Sequence, residues 1–280
     1  ITASGITRLA YQQEPNQVLW ATLANGSLVA FTYERSQEVT AWHRHTIGGT
    51  GAKVESIASI PHPDKDQDRL WMIVNRTIGG ATERHIEYIE SEWVRDGDMK
   101  DAFFVDSGLT FSPRTANITG DVTNGNPIVN ATAHKFRADD VVRISGVTGN
   151  DGIEEIVNGK KFIVVWINEN SFSLKDLDGV AVSGASESGA ADGDTGIIED
   201  LTLEVYGLKH LEGETVSVLA DGATHPDKTV SGGKITLDRR VGTAQVGLPY
   251  SSTLQTMRIE AGGRDGTSQG KTKRITNVVV

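Results

Sequence analysis

The feature that most constrains this chain is a series of short alternating apolar runs separated by glycine-containing turns. It is clearest in residues 208–250. In Thr215–Ala220, Val216 and Val218 share one face and polar residues share the other, which is the period of two of a half-buried strand. Asp221-Gly222 follows at once and favours a tight turn, because both residues tolerate a positive φ. The pattern predicts short antiparallel strands.

The pattern continues to the end of this stretch. Residues 234–237 alternate, with Ile235 and Leu237 inward, and residues 241–246 form another apolar run. Pro249 has no N–H to donate, so we expect it to close a strand or lie at a sheet edge. Several short strands at this spacing predict a β-sandwich or barrel module, and we assign it to residues 201–280.

The composition excludes several classes of function. The 280 residues suffice for two or three domains. The formal net charge of −10 argues against a DNA-coating role, which requires a basic face, although an acidic wall would let DNA slide past it. The chain has no cysteine, which excludes disulfides, thiolate zinc sites and cysteine nucleophiles. The 31 glycines fit an all-β protein with many turns.

The chain carries no sign of membrane insertion or secretion. No apolar run reaches about 18 residues, so we expect no membrane span, and no basic segment leads into an apolar core at the start. The chain begins without Met and ends on three valines. From these ends we expect a piece of a longer protein.

Residues 1–113 are typical of propeller-like sheet. Strands are expected at 18–23, 27–34, 39–45, 54–60, 69–74 and 84–89, with turns at Asn25-Gly26 and Gly79-Gly80. The pair Leu19-Trp20 recurs as Leu70-Trp71, with the two tryptophans 51 positions apart, which is a plausible length for one propeller blade. We therefore expect two blades, or part of a propeller. Residues 101–111 should form one extended connecting strand.

A second domain is expected as an insertion at residues 114–200. Its predicted strands are 128–132, 141–144, 161–167 and 171–174, and residues 183–196 have the composition of a flexible linker. If the insertion were removed, DSGLTF would join LEVYGLKHLEGE. We therefore expect these two flanking segments to pair in one sheet.

Three segments carry a resemblance to a known family. HLEGETVSVLADG (210–222), VGLPYSSTLQTMRIE (246–260) and GTSQGKTKRI (266–275) resemble the C-terminal part of the nozzle, or tail tubular, proteins of short-tailed phages and prophages. WHRHTIGG (42–49) and residues 70–90 resemble the β-propeller part of the same proteins. The resemblance implies a structural ring subunit at the end of a phage tail. The implied partners are further copies of the chain, adaptor and fibre proteins, and passing DNA.

The predicted insertion carries its own resemblance. ATAHKFRADDVVRISGV (131–147), VNGKKFIVV (157–165) and NSFSLKD (170–176) resemble the small β-barrel of the first-catalytic-cysteine half-domain of ubiquitin-activating enzymes. This implies the fold alone, since the chain has no thiol. The complete fold expectation is an all-β chain: a partial propeller-like sheet and a β-sandwich or barrel module with an inserted small β-barrel. The implied location is the virion tail, after assembly in the host cytoplasm.

We assign no catalytic, cofactor-binding or metal-binding residue. The candidates for an interface or a lumen lie in the HLEGE turn, the GLPY loop and a dense basic patch near the C-terminus. They are His210, Glu212, Glu214, Leu248, Pro249, Tyr250, Lys271, Lys273 and Arg274. The basic patch is equally compatible with DNA phosphates, with acids of a neighbouring subunit, and with an ordinary charged strand surface.

Two groups of side chains are candidate metal sites. His43 and His45 share one face of a strand, but a third ligand is not evident, and histidines packed on an aromatic such as Trp42 are the simpler interpretation. Three aspartates alternate in PHPDKDQDR, at positions 64, 66 and 68. Counted from the first of them, the sixth and twelfth positions hold Arg69 and Asn75, where an EF-hand needs Gly and Glu.

A polysaccharide hydrolase is an enzymatic alternative. It would need two facing carboxylates, for which Glu83, Glu87 and Glu90, or Glu212 and Glu214, are candidates. No GxSxG motif occurs, and the glycine cluster in residues 263–271 lacks the order of a phosphate-binding loop. The last alternative is a carbohydrate-binding or host-adhesion module, with Phe162, Trp166 and Phe172 of the insertion as candidate aromatics, although their positions look core-like.

Overall fold

Four antiparallel sheets make up nearly all of the described chain. The computed structural model describes residues 2–35, 38–91, 93, 96–119, 127–148, 153–183 and 195–253. Sheet A has the strand order β1 (Ile6–Gln12), β2 (Val18–Leu23), β3 (Leu28–Glu34) and β4 (Val39–His45). Sheet B has the order β5 (Thr50–Pro61), β6 (Asp68–Ile78) and β7 (Ala81–Tyr88).

Sheets A and B pack through one shared core. The side chains that alternate inward from sheet A, such as Trp20 and Leu28, join those from sheet B, such as Leu70, Met72 and Val74, in one buried cluster. The turn between β2 and β3 forms at the predicted Asn-Gly pair, because Gly26 has a φ of +85° that a side chain would disfavour.

Sheet C belongs to the C-terminal module. Its order is β16 (Ala223–Thr229), β15 (Thr215–Ala220), β18 (Ala244–Leu248) and β8 (Asp106–Phe111). β18 ends at Leu248, immediately before Pro249, as predicted from the missing N–H of proline. The core of this module also takes in Ile78 from sheet B and Val205 from β14 (Thr195–Tyr206).

Sheet D is the largest and carries the predicted insertion. Its order is β10 (Ile128–Asn130), β13 (Ser171–Lys175), β12 (Lys161–Asn168), β11 (Val141–Thr148), β14 and β17 (Lys234–Val241), and β9 (Thr115–Asn117) also pairs with β14. One short helix, α1 (Ile153–Val157), packs within it. The buried cluster here draws its described members from residues 118–198 alone, including Phe136, Phe162 and Phe172.

Strand β14 connects the insertion to the C-terminal module. Its first half pairs with β11 and β9, and its second half pairs with β17. The expectation that the two flanks of the insertion pair with each other is wrong. β8 pairs with β18 in sheet C, whereas residues 202–206 pair with β17 in sheet D. The flanks meet through side chains instead, since Phe111 and Val205 contact the same core.

The single extended strand expected over residues 101–111 is also wrong. Met99–Asp101 forms a 3₁₀ turn, and the strand begins only at Asp106. The turn forms because its backbone groups find local partners: the Asp98 side chain accepts from the Lys100 N–H, and the Ala102 N–H donates to Met99 O.

The all-β class is confirmed, and none of the sheets closes on itself within the described residues. No helix in that part of the chain is long and apolar enough to cross a bilayer. The chain divides into two units, Ile1–Tyr250 and Ser251–Val280, and all the elements above belong to the first.

Candidate functional site at the junction of sheet B and the C-terminal module

Polar side chains are concentrated where sheet B meets the C-terminal module. We call Arg76, His85, Glu87, Asp106 and His210 the junction cluster. Arg76 and its neighbours on β6 alternate inward, so the strand pattern carries the guanidinium into the interior, where Arg76 is 1% exposed. A buried guanidinium is tolerated only when its charge and donors are matched.

Arg76 is matched by one carboxylate and one carbonyl. Its Nη2 donates to Glu87 Oε2 at 3.1 Å, and its Nη1 forms an ion pair with Oε1 of the same residue on β7. Its Nε donates to the carbonyl oxygen of Gly48 at 3.1 Å. The side chain therefore ties β6, β7 and the segment that follows sheet A together.

Asp106 also bonds to Gly48, at the N–H and not at the carbonyl oxygen. Its Oδ2 accepts the Gly48 N–H at 2.5 Å. Burial raises the pKa of Asp106 and nearby Glu87 raises it further, while the hydrogen bond from Gly48 and the charge of Arg76 oppose the shift. The approach is close: a Cβ on Gly48 would lie 2.7 Å from the carbonyl oxygen of Pro249, so only glycine fits here.

Two histidines lie beside the carboxylates. The His85 and His210 rings are perpendicular, with centroids 5.7 Å apart. His210 Nε2 lies 2.8 Å from Ser107 O, and since a carbonyl only accepts, this nitrogen donates its proton. The pKa of His85 is lowered by burial and then by His210. Its buried Nδ1 has no hydrogen-bond partner among the described residues.

The junction cluster pairs a carboxyl of raised pKa with an ion-paired carboxylate. Such a difference in environment is also found in acid–base catalysis. Here, however, Asp106, Arg76 and His210 each bond the backbone of another segment, at Gly48 or Ser107. The geometry fixes segments of the chain relative to one another.

The predicted HLEGE residues form hydrogen bonds with other segments of this chain. Glu212 accepts the N–H groups of Gly232 and Gly233 through its two oxygens, at 2.8 and 2.7 Å, and so clamps a turn. Glu214 Oε1 accepts the Gly79 N–H at 3.2 Å, from the turn between β6 and β7. With His210, these carboxylates fasten the module internally and to the end of sheet B.

The predicted GLPY residues lie on the other side of the junction. Leu248 is buried in the module core. Pro249 contributes its carbonyl to the close approach at Gly48. Tyr250 is partly exposed, and its pKa is raised by burial and by Asp106. Lys271, Lys273, Arg274 and the glycine cluster in residues 263–271 lie outside the described residues.

The predicted histidine pair is a packing feature of the A–B core. His43 Nδ1 lies 2.8 Å from His45 Nε2, and Thr32 Oγ1 lies 3.0 Å from His43 Nε2. Both rings pack on Trp20 and not on Trp42, because Trp42 projects from the opposite face of the strand. Burial lowers the pKa of His45 to about 4, and nearby His43 contributes.

Two of the other candidate acids, Asp68 and Glu90, have partners of their own. Asp68 Oδ2 accepts the N–H of Gln13 at 2.7 Å, which holds the loop of residues 62–67 beside sheet A. Glu90 lies 3.6 Å from Arg69, and Glu83 is exposed. Across the described residues, no group of three or more His, Asp or Glu side chains is placed to hold a metal ion.

The aromatic residues proposed for the insertion do not form a platform. Phe162 and Phe172 are buried in its core, and Trp166 alone is half-exposed. The structure instead shows an aromatic ladder on the outer face of sheet A, in which cross-strand neighbours share a face. Its aromatic members are Tyr11, Phe31 and Trp42, and Leu19 lies between Tyr11 and Phe31 on the same face.

Sequence reasoning missed both the ladder and the buried ion pair. The ladder needed the register between four strands, which the alternation of single strands does not supply. Arg76 did leave a signal, because it occupies an inward position in the alternating run Leu70, Met72, Val74 and Ile78. An arginine at such a position predicts a buried carboxylate partner.

An open groove of about 540 Å³ lies between β1 and the β5–β6 pair. Its polar lining includes Arg8, Lys53, Glu55 and Asn75. Glu55 is held by Arg84 and Asn75, so its carboxylate is already matched. The groove lies apart from the junction cluster.

Comparisons with known proteins do not assign the chain to a family. No protein-family model matches the sequence, and no curated protein matches it significantly.

Proposed function

We propose that the protein is a structural, non-catalytic subunit of a phage or prophage tail, a nozzle-like component that builds a ring around the path of the DNA. The observation that carries the proposal is a set of large apolar side chains that are exposed on the outer faces of the A–B stack. Exposed residues on them include Leu9, Tyr33 and Trp42 on sheet A and Ile73 and Ile86 on sheet B. Large exposed apolar faces are typical of assembly surfaces.

Two further features support a mechanical role. The junction cluster joins sheet B to the C-terminal module through Gly48, whose carbonyl oxygen accepts from Arg76 of sheet B and whose N–H donates to Asp106 of β8. A subunit that encloses a passage benefits from such stiff connections. The net charge of −10 fits a wall that repels DNA and so lets it slide, with the adaptor and fibre proteins as the neighbours along the tail.

Particles of the source phage or prophage provide the test. We expect the protein in purified virions by mass spectrometry and, by cryo-electron microscopy, in a ring at the end of the tail. Antibody labelling at the capsid, or absence of the protein from intact particles, would reject this function.

A carbohydrate-binding or host-adhesion role is the second candidate, favoured by the aromatic ladder of sheet A. The Phe31 and Trp42 rings lie 4.9 Å apart on the outer face of sheet A, and Trp42 is exposed there as an apolar surface for a sugar ring. A glycan array with the wild-type chain and Trp42→Ala tests it, with Trp166→Ala in the insertion as the matched control. Glycan binding lost only in Trp42→Ala would favour this candidate.

A further inference from the structure

The loop of residues 131–137 in the insertion turns a histidine side chain into the core. We call this segment the His134 loop. Ala131, His134 and Phe136 are buried in it, while the residues between them are exposed. His134 is 2% exposed, and its ring is stacked on Phe136 and perpendicular to Phe172, with centroids 5.5 and 5.1 Å away. A titratable side chain with so little access to water has to be matched by its neighbours.

Both ring nitrogens of His134 have partners that fit the neutral form alone. Nε2 lies 2.9 Å from the carbonyl oxygen of Asn168, and since a carbonyl only accepts, Nε2 carries the proton. Nδ1 accepts the N–H of Phe136 at 3.0 Å, so it has no proton of its own. A second proton on the ring would go to Nδ1 and would face the Phe136 N–H, donor against donor. The charged ring therefore cannot keep both hydrogen bonds.

The bonds of the ring hold a strained piece of backbone in place. Ala133 and Lys135, on either side of His134, have φ values of +52° and +59°, in the left-handed region that residues with a side chain rarely adopt. Such conformations persist only where the surrounding structure holds them. The bond to Asn168 ties the loop to the turn between β12 and β13, and the His134 N–H donates to Glu169 O in the same turn. Loss of the ring bonds therefore frees a segment that is strained when closed.

Among the described residues, no carboxylate bonds to the His134 ring. Its hydrogen bonds are the two to Asn168 and Phe136. Asp140 and Asp200 both pair with Arg114 instead. The charged groups on and next to the loop, and on the segments bonded to it, are Arg114, Lys135, Arg137, Asp139, Asp140, Glu169 and Asp200. Because a buried charge without a partner is costly, the closed loop favours the neutral ring.

We propose that His134 is an acid-sensitive latch: protonation of its ring releases the His134 loop from the β12–β13 turn. Histidine is the side chain that ordinarily changes charge between about pH 5 and pH 8, and its protonation is how many pH sensors switch. The neutral ring holds the loop closed at neutral pH. This hold is lost as the pH falls, because the opened loop takes up the proton and the closed loop does not. The latch goes beyond the proposed tail function and does not depend on it.

The size of the response follows from the ordinary titration of histidine. In the opened loop the ring is in water, where histidine takes up a proton at about pH 6.5. Between pH 7.5 and pH 5.5 this uptake favours the open loop over the closed loop about tenfold. The range lies above about pH 4, where carboxyl groups ordinarily titrate, so the response reports on histidine.

Amide hydrogen exchange of the whole chain tests the opening. We expect the protection of the Phe136 amide, corrected for the intrinsic effect of pH on exchange, to fall about tenfold between pH 7.5 and pH 5.5 in the wild type. His134→Asn keeps an acceptor for the N–H two residues further on and cannot titrate, so its protection should stay constant. An equal loss of protection in His134→Asn would reject the latch, as would no loss in the wild type.

His62→Asn is the matched control. His62 Nδ1 also accepts an N–H two residues further on, from Asp64 at 3.0 Å, but it lies in the loop between β5 and β6. We expect this variant to lose protection at Phe136 as the wild type does. A constant protection in His62→Asn would show that the acid response does not come from His134.

The ring itself provides a second measurement, which requires no variant. In the whole chain labelled with ¹⁵N at histidine, the chemical shifts of the two ring nitrogens report which of them carries a proton, and contacts with Phe136 and Phe172 identify the ring. We expect Nε2 protonated and Nδ1 without a proton at pH 7.5. The opposite tautomer at pH 7.5 would overturn the inference, as would a doubly protonated ring at pH 5.5 with the Phe136 amide still protected.

Discussion

Arg76 on β6 and Glu87 on β7 form an ion pair inside the protein, with the Arg76 side chain fully buried and that of Glu87 14% exposed. The pair lies where sheet B meets the C-terminal module, and Arg76 also donates to Gly48 O. The charges satisfy each other at a position where the strand pattern alone would place an aliphatic side chain.

Removing one partner of this pair should be strongly destabilising. Arg76→Met leaves the mostly buried Glu87 carboxylate without its counter-charge, and we expect a loss of about 3–5 kcal/mol in the free energy of unfolding. Urea denaturation followed by tryptophan fluorescence measures it. Arg84→Met, which breaks the exposed pair with Glu55, is the matched control and should leave the midpoint unchanged.

The double variant Arg76→Met, Glu87→Met extends this test. We expect it to regain part of the loss, because neither charge is then left unpaired. A double variant as unstable as the sum of the two single variants would contradict the pairing.

Replacing the Asp106 carboxyl by an uncharged amide should change how stability depends on pH. Since burial raises its pKa, the folded state favours the protonated carboxyl; the stability that this contributes is present at low pH and is lost as the pH rises. Asp106→Asn keeps an acceptor for the Gly48 N–H and removes the titration. We expect the variant to gain stability relative to the wild type between pH 4 and pH 8.

Asp106→Ala separates charge from hydrogen bonding. It leaves the Gly48 N–H without its acceptor and should cost about 1–3 kcal/mol. Equal stability of Asp106→Ala and Asp106→Asn at pH 8 would show that the hydrogen bond contributes nothing.

Because of the histidine pair on β4, the free energy of unfolding should decrease as the pH falls below 6.5. Because the pKa of His45 falls to about 4 in the folded state, its contribution is present above pH 6.5 and is lost as the pH falls toward 4, where the unfolded chain takes up the proton first. We expect a loss of about 1–3 kcal/mol across this window. His45→Gln should remove most of this pH dependence of stability. Urea denaturation at a series of pH values measures it, with pH 8 as the reference.

The insertion should fold by itself. Its described core draws on residues 118–198, and β9 pairs with the first half of β14, so residues 114–200 contain both ends of the domain. We expect dispersed amide resonances and a cooperative thermal transition from this segment alone. A disordered spectrum would show that it requires the second half of β14 and its partner β17.

The alternation of apolar residues was sufficient to predict the class and most strands. Val216 and Val218 lie inward on β15 as expected, and Asp221-Gly222 turns the chain. These features are local, since a period of two and a tolerance for positive φ act within a few residues.

What the sequence did not determine was the pairing between distant strands. β8 pairs with β18 and not with the segment that follows the insertion. Thr110 and Gln245, which form a hydrogen bond between these two strands, are 135 positions apart in the sequence. The partners of Arg76 were missed for the same reason.

The sequence by itself therefore determined an acidic, cysteine-free, all-β chain with its turns in place. The tertiary structure alone decided that His210, Glu214 and Pro249 contact other segments of the same chain, and that Phe31 and Trp42 share the outer face of sheet A. The reason is physical: alternation tells which side chains share a face of one strand, whereas register and packing decide what that face meets.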